Sequence, residues 1–238
     1  MDFSEPKIGH RFQQETKYVR PSYIPKGAEK PAETVSSKTI SLPPPSLEGG
    51  TNFWKVLQKR RSIREYTQAP LALTDLSCLL WATQGVTEKA LSAWYRTVPS
   101  AGALHPIDTY LVVNRVEGLY PGIYFLDVAG FSLETRKRGD FSLSIARAAL
   151  EQEMARAAAV VFVWVAVVER SRQKYRQRAY RYIYLDCGHI AQNLYLAATA
   201  MNLGCCGIAA FFDDEVNDLV GADGHEETAI YLATIGKK

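Results

Sequence analysis

The chain has 238 residues, a net charge of +3, and 47% hydrophobic against 22% charged residues. This composition suits a globular chain with a real core, and the charge is too small to indicate a nucleic-acid partner by itself. The longest apolar run, 157–168, falls short of the roughly 20 residues that cross a bilayer as a helix. No apolar signal region follows the N-terminus, so a cytoplasmic location without membrane association is expected.

Residues 1–50 carry Pro21, Pro25, Pro31 and Pro43-Pro44-Pro45, and close on Gly49-Gly50. They read as a proline-rich extension, partly extended, whose Phe12, Tyr18 and Tyr23 lie along another surface, expected to be that of a partner subunit. The folded domain then spans 51–238. Asn52 is expected to cap a helix with Phe53, Trp54, Val56 and Leu57 on its apolar side, ending near Arg61. Thr74 is expected to cap a second helix that carries Leu76, Leu79, Leu80 and Thr83 and stops at Gly85. Strands are predicted at 109–114, 123–127 and 131–135, the last two joined by a turn at Gly130. A helix is predicted over 144–158. Val160–Val168 is apolar on both faces and predicts a central strand.

A long helix over 180–203 follows, with Ile183, Cys187, Ile190, Leu194, Ala197 and Met201 as its buried stripe and Gly204 as its stop. A strand at 205–212, a short helix capped by Asp213 or Asp214, and a last strand at 228–235 complete the chain. Helices and strands alternate without regular βαβ spacing, which predicts an α+β sheet with flanking helices. Cys78, Cys187, Cys205 and Cys206 show no zinc-site spacing, so no metal is expected. Cys205 and Cys206 read as small buried strand residues.

Two stretches carry chemistry. Arg60-Arg61-Ser62-Ile63-Arg64-Glu65-Tyr66 gathers three guanidinium groups and a hydroxyl near a helix end, donors suited to a dianionic phosphate. Pro99-Ser100-Ala101-Gly102-Ala103-Leu104-His105-Pro106 is a small-residue loop that lets backbone approach a flat aromatic ring. Together they suggest bound flavin mononucleotide (FMN) and a redox enzyme. No dinucleotide-type G-x-G-x-x-G turn is present.

These two motifs resemble those of the nitroreductase-like flavoprotein superfamily. Within it the chain is most similar to the SagB/McbC-type azoline dehydrogenases, in 79–85 (LLWATQG), 174–182 with 186–193, and Leu203-Gly204 with Gly207-Ile208-Ala209-Ala210. The resemblance covers residues 52 to 238. It implies an α+β, mostly antiparallel sheet flanked by helices, in an intertwined homodimer with FMN at the interface. It further implies that Arg60, Ser62 and Arg64, with Arg61 beside them, hold phosphate and ribityl oxygens. Pro99, Ser100, Ala101, Gly102 and Ala103 approach the ring from the partner chain, Gly207, Ile208 and Ala209 lie near N5, and Gln84 bonds the ring or ribityl edge. Lys237 or Lys238 is left to reach the phosphate.

Lys174 and Tyr175 resemble the pair that takes the ring proton of an azoline while hydride passes to flavin. Arg172 and Arg176 flank Lys174 and favour its neutral, basic form. The substrate expected is a small molecule or peptide azoline, with oxygen as acceptor. The alternative is an NAD(P)H-dependent nitroreductase or quinone reductase. A non-enzymatic alternative is a nucleic-acid module using 170–181, with Tyr175, Tyr180 and Tyr182 stacking on bases. His189 reads as a core or interface histidine, His105 as a packing residue or substrate contact, and Asp186 as an orienter of Arg181 or Tyr182.

Overall fold

The computed structural model describes residues 7–26, 38–90 and 94–238. Its strands are β1 (Thr39–Ser41), β2 (Val86–Lys89), β3 (Trp94–Arg96), β4 (Ile107–Val113), β5 (Gly122–Asp127), β6 (Ser132–Arg138), β7 (Val160–Val167), β8 (Leu203–Ile208) and β9 (Glu227–Lys237). Seven of them form one sheet in the order β1-β6-β5-β4-β7-β9-β8, and every neighbouring pair runs antiparallel. Strands β2 and β3 make a separate hairpin. The helices are α1 (Ile8–Glu15), α2 (Phe53–Lys59), α3 (Leu73–Gln84), α4 (Ser142–Ala148), α5 (Glu153–Ala157), α6 (Val168–Tyr175), α7 (Ala179–Ala200) and α8 (Asp213–Val220).

β7 shows why the sheet is the organiser. Successive strand residues point to opposite faces, and both faces of β7 are covered. Val160, Phe162, Trp164 and Ala166 enter the core that holds α3 and α7. Val161, Val163 and Val165 enter the core that holds α4, α5 and α8. The fold is therefore a sheet between two helical layers, α+β as expected.

Several local expectations need correction. Thr74 lies inside α3, whose N-cap is Ala72 without a side-chain bond; Asn52 does cap α2, accepting from Trp54 N. The helix expected over 144–158 is two helices, because Leu150 and Glu151 adopt left-handed φ of 57° and 59° between them. α7 stops at Ala200 through Asn202 (φ 58°), and Gly204 belongs to β8, where Tyr66 and Ile63 leave no room for a side chain. Phe212, not an aspartate, is the N-cap of α8.

Part of the N-terminal extension is helical. α1 lies against α7, where Tyr184 Oη donates to the buried Gln13 Oε1 (2.6 Å). Lys17 pairs with Asp214, Arg20 with Glu215, and Tyr23 Oη donates to Asp218. Residues 7–26 thus clamp onto helices of their own chain; Pro31 lies outside the described residues. Among the described residues no helix is long and apolar enough to cross a membrane.

Candidate active site

The basic motif runs along the edge of the sheet. Ile63 N donates to Cys205 O (2.9 Å) and Thr67 N to Lys237 O (2.8 Å), so 60–67 follows β8 and the end of β9. Extended backbone sends alternate side chains to opposite sides, and this divides the cluster. Arg60 lies over the ring of Tyr195 (5.4 Å to the centroid), and Ser62 Oγ meets Tyr195 Oη at 3.1 Å. Arg61 turns away, bonding Gln58 O and Arg60 O, and lines a hollow of about 240 Å³ with Lys59 and Lys238. Among the described residues none of Arg60, Arg61 and Arg64 forms an ion pair. Three uncompensated cations on neighbouring residues make this edge receptive to an anion.

Tyr195 also reaches Gly207, whose N donates to its Oη at 2.6 Å. A Cβ at Gly207 would collide with Tyr231 Oη, so any side chain there would have to displace that ring. Burial pushes the Tyr231 phenol up to about 12, so it stays protonated. The structure thus joins Arg60, Ser62 and Gly207 through a tyrosine that sequence reasoning missed. The available signal was a half-buried phenol on a helix packed against the core, which needs a polar partner. Ile208 is buried, Ala209 is exposed just past β8, and the Lys237 carbonyl is occupied by Thr67.

The small-residue loop is a second assembly. Gly102 (φ 65°), Ala103 (φ 53°) and His105 (φ 45°) are all left-handed. The strain is held by Asp186 of α7, which accepts from Ser100 Oγ (2.6 Å) and Ala101 N (3.3 Å), while Ser100 Oγ accepts from His105 N. Asp186 therefore anchors the loop; it does not orient Arg181 or Tyr182 as expected. Burial raises its carboxyl above the usual range, and the two donated bonds oppose that rise. His105 Nε2 lies 3.0 Å from Trp94 O, and burial pushes its imidazole below the usual value. Gln84 is buried, its amide occupied by Ile107 O, Thr109 Oγ1 and Arg96. In this chain it ties α3 to β4.

Lys174 and Tyr175 end at this loop. A Cβ placed on Gly102 would lie 2.7 Å from Tyr175 Oη and 2.9 Å from Lys174 Nζ. A left-handed Arg176 (φ 50°) ends α6 immediately after them. Edge contact with Tyr182 (4.8 Å between centroids) steadies the Tyr175 ring. The flanking Arg172 is paired with Glu169 and Glu226, so the cationic pressure on Lys174 expected from sequence is partly cancelled. Arg170 is paired with Asp108 and Tyr180 is buried. Of the basic run, Arg170 and Arg172 are thus neutralised within the chain and Tyr180 is closed to stacking, while Lys174, Arg176, Arg178 and Arg181 form no ion pair among the described residues. His189 is exposed on α7.

The two assemblies hang from one helix. Asp186 and Tyr195 are nine residues apart on α7. That is two and a half turns, about 13 Å along the axis, so they point to opposite sides of the helix.

Residues 57–237 match the model of the nitroreductase family. A nitroreductase-like protein of Methanocaldococcus jannaschii is 37% identical over 183 residues, 77% of this chain and 89% of its own. The trifolitoxin operon protein TfxC of Rhizobium leguminosarum bv. trifolii is 27% identical over 76% of this chain, which spans 54% of TfxC. Among solved structures, a nitroreductase-like protein from Anabaena variabilis superposes with a TM-score of 0.74 at 32% identity, over 84% of this chain and 42% of that one. The Escherichia coli microcin synthetase complex McbBCD, solved with truncated pro-MccB17 bound, shares the fold at a TM-score of 0.64 and 19% identity, over 99% of this chain and 83% of the matched one. With its sheet, its glycine-lined edge and a family match over three quarters of its length, this chain is a member of the nitroreductase family of oxidoreductases.

Proposed function

We propose that the protein is an FMN-dependent oxidoreductase of the SagB/McbC kind that oxidises peptide azolines to azoles. In this reading it works as a homodimer, the Arg60–Gly207 half of one chain facing the Pro99–Ala103 half of its partner. The opposite orientations of Asp186 and Tyr195 on α7 support the shared arrangement, because one chain sends its two halves to different sides of the same helix. The residues present fit the cofactor. Arg60 and Arg64 would balance the phosphate charge, and Ser62 would donate to a phosphate or ribityl oxygen; the side-chain positions of Gly207 and Gly102 are taken by Tyr231 Oη and by Tyr175 Oη and Lys174 Nζ, so a flat ring would meet those groups beside the main chain. Arg61 and Gln84 are already engaged within the chain and would contribute less. Lys237 offers its side chain only, from the end of β9.

The observation that carries the azoline reading is the convergence of Lys174 Nζ and Tyr175 Oη on Gly102. The likeness to TfxC and the fold shared with McbBCD support it. Bound FMN supplies a two-electron acceptor at N5. Lys174 Nζ or Tyr175 Oη would take the proton lost from the azoline ring carbon as the hydride leaves the substrate. Oxygen would then remove the electron pair, so that azoline plus oxygen gives azole plus hydrogen peroxide. The likeness to the M. jannaschii protein favours a second reading, in which NAD(P)H is the donor and a nitroaromatic or quinone the acceptor.

Three assays test the proposal. Purified protein should show the flavin absorption bands. It should turn over a synthetic thiazoline peptide faster than it passes electrons from NAD(P)H to a quinone. Lys174→Ala should keep the colour and slow thiazoline oxidation. Turnover of the nicotinamide–quinone couple alone would install the second reading, and colourless protein that takes up no added FMN would overturn both.

A further inference from the structure

We propose that Tyr195 is a positioning residue that aims the Ser62 hydroxyl at the cofactor's phosphate end while pinning Gly207 at the ring end. The proposal rests on the FMN reading and adds a residue to it.

The available protons set the direction of these bonds. A backbone N–H can only donate, so the Gly207 N–H (2.6 Å) occupies a lone pair of Tyr195 Oη. The phenol's one proton is then free for Ser62 Oγ, 3.1 Å away. With that oxygen accepting, the serine proton turns outward from an exposed segment, towards an approaching oxyanion. The chain Gly207 N–H, Tyr195 O–H, Ser62 O–H runs in one direction, and each link polarises the next. The face of the same ring lies beneath the Arg60 guanidinium. One side chain therefore touches three candidate cofactor residues drawn from two distant parts of the sequence.

The geometry makes Tyr195→Phe a selective change, since the ring and its contact with Arg60 stay and only the hydroxyl is lost. The experiment measures dissociation constants of FMN and riboflavin by flavin fluorescence for the wild type, Tyr195→Phe, Ser62→Ala and the double variant. The wild type should prefer FMN. Tyr195→Phe should weaken FMN about tenfold, the worth of a hydrogen bond to a charged group, and weaken riboflavin less, so the preference for the phosphate shrinks. Ser62→Ala should shrink it similarly, and adding Tyr195→Phe to Ser62→Ala should shrink it no further. A purely structural tyrosine would weaken both flavins equally. An unchanged FMN preference in Tyr195→Phe, or fully multiplicative effects in the double variant, overturns the relay. Should Tyr195→Phe fail to fold, Ser62→Ala on its exposed segment decides alone: full retention of the preference overturns the relay. Failure of the wild type to bind FMN overturns the functional reading itself and is visible before any variant is made.

Discussion

The Arg60–Gly207 half of the site is built on regular structure, whereas the Pro99–His105 half is built on strain. In the first, backbone bonds from Ile63 and Thr67 extend the sheet, and Tyr195 links the strand edge to the basic motif. In the second, three consecutive-region residues sit in left-handed conformations, of which the two non-glycines each cost about 1 kcal/mol or more, and one buried carboxylate holds them. The difference teaches how each half should respond to damage. The sheet-edge half should lose ligand affinity when its charges go but keep its shape. The loop half should lose shape when a single anchor goes.

The largest effect expected is from Arg60→Ala with Arg64→Ala. Removing both guanidinium groups should weaken FMN by about a hundredfold or more with the melting temperature nearly unchanged. Full yellow colour after dialysis would show that the phosphate does not sit there. Asp186→Ala should do the reverse, lowering unfolding free energy by about 1–3 kcal/mol, because Ser100 Oγ and Ala101 N lose their acceptor. Urea unfolding measures it, and a variant as stable as the wild type would mean that the loop holds itself.

Asp213 lies outside both halves and gives a smaller, pH-dependent contrast. Burial raises its carboxyl to about 6 although Tyr18 N donates to it. A carboxyl with a raised folded value contributes its stability below about pH 4 and loses it as pH climbs through about 6. Asp213→Asn should therefore stabilise by about 1 kcal/mol at pH 7.5, after discounting for solvent screening, and by little at pH 4. Melting curves at the two pH values test this, and equal shifts at both would refute it.

Much of the fold was legible because β7 and the α7 stripe are set by local hydrophobic pattern. Gly204 was misread because a glycine after a helical stripe looks like a stop, whereas here it serves the close approach of Tyr66 to β8, a contact between distant residues. The break at Leu150 and Glu151 was invisible because neither residue favours left-handed backbone. Of the site, the two motifs could be read, but not their partners. Asp186 lies far in sequence from Ser100, and Tyr195 from Ser62, and no local spacing records which residues face them. Arg61 could not be separated from Arg60 and Ser62 without knowing that the segment is extended.

The shared site is tested most directly by mixing broken halves. One chain carries Arg60→Ala with Arg64→Ala, and a differently tagged chain carries Gly102→Trp, which fills the loop side; each alone should retain almost no FMN through dialysis. Co-expressed at equal levels, random dimers should regain about a quarter of the wild-type FMN content, all of it in the doubly tagged species, since each mixed dimer holds one intact site. No recovery of flavin in mixed dimers would contradict a site made by two chains.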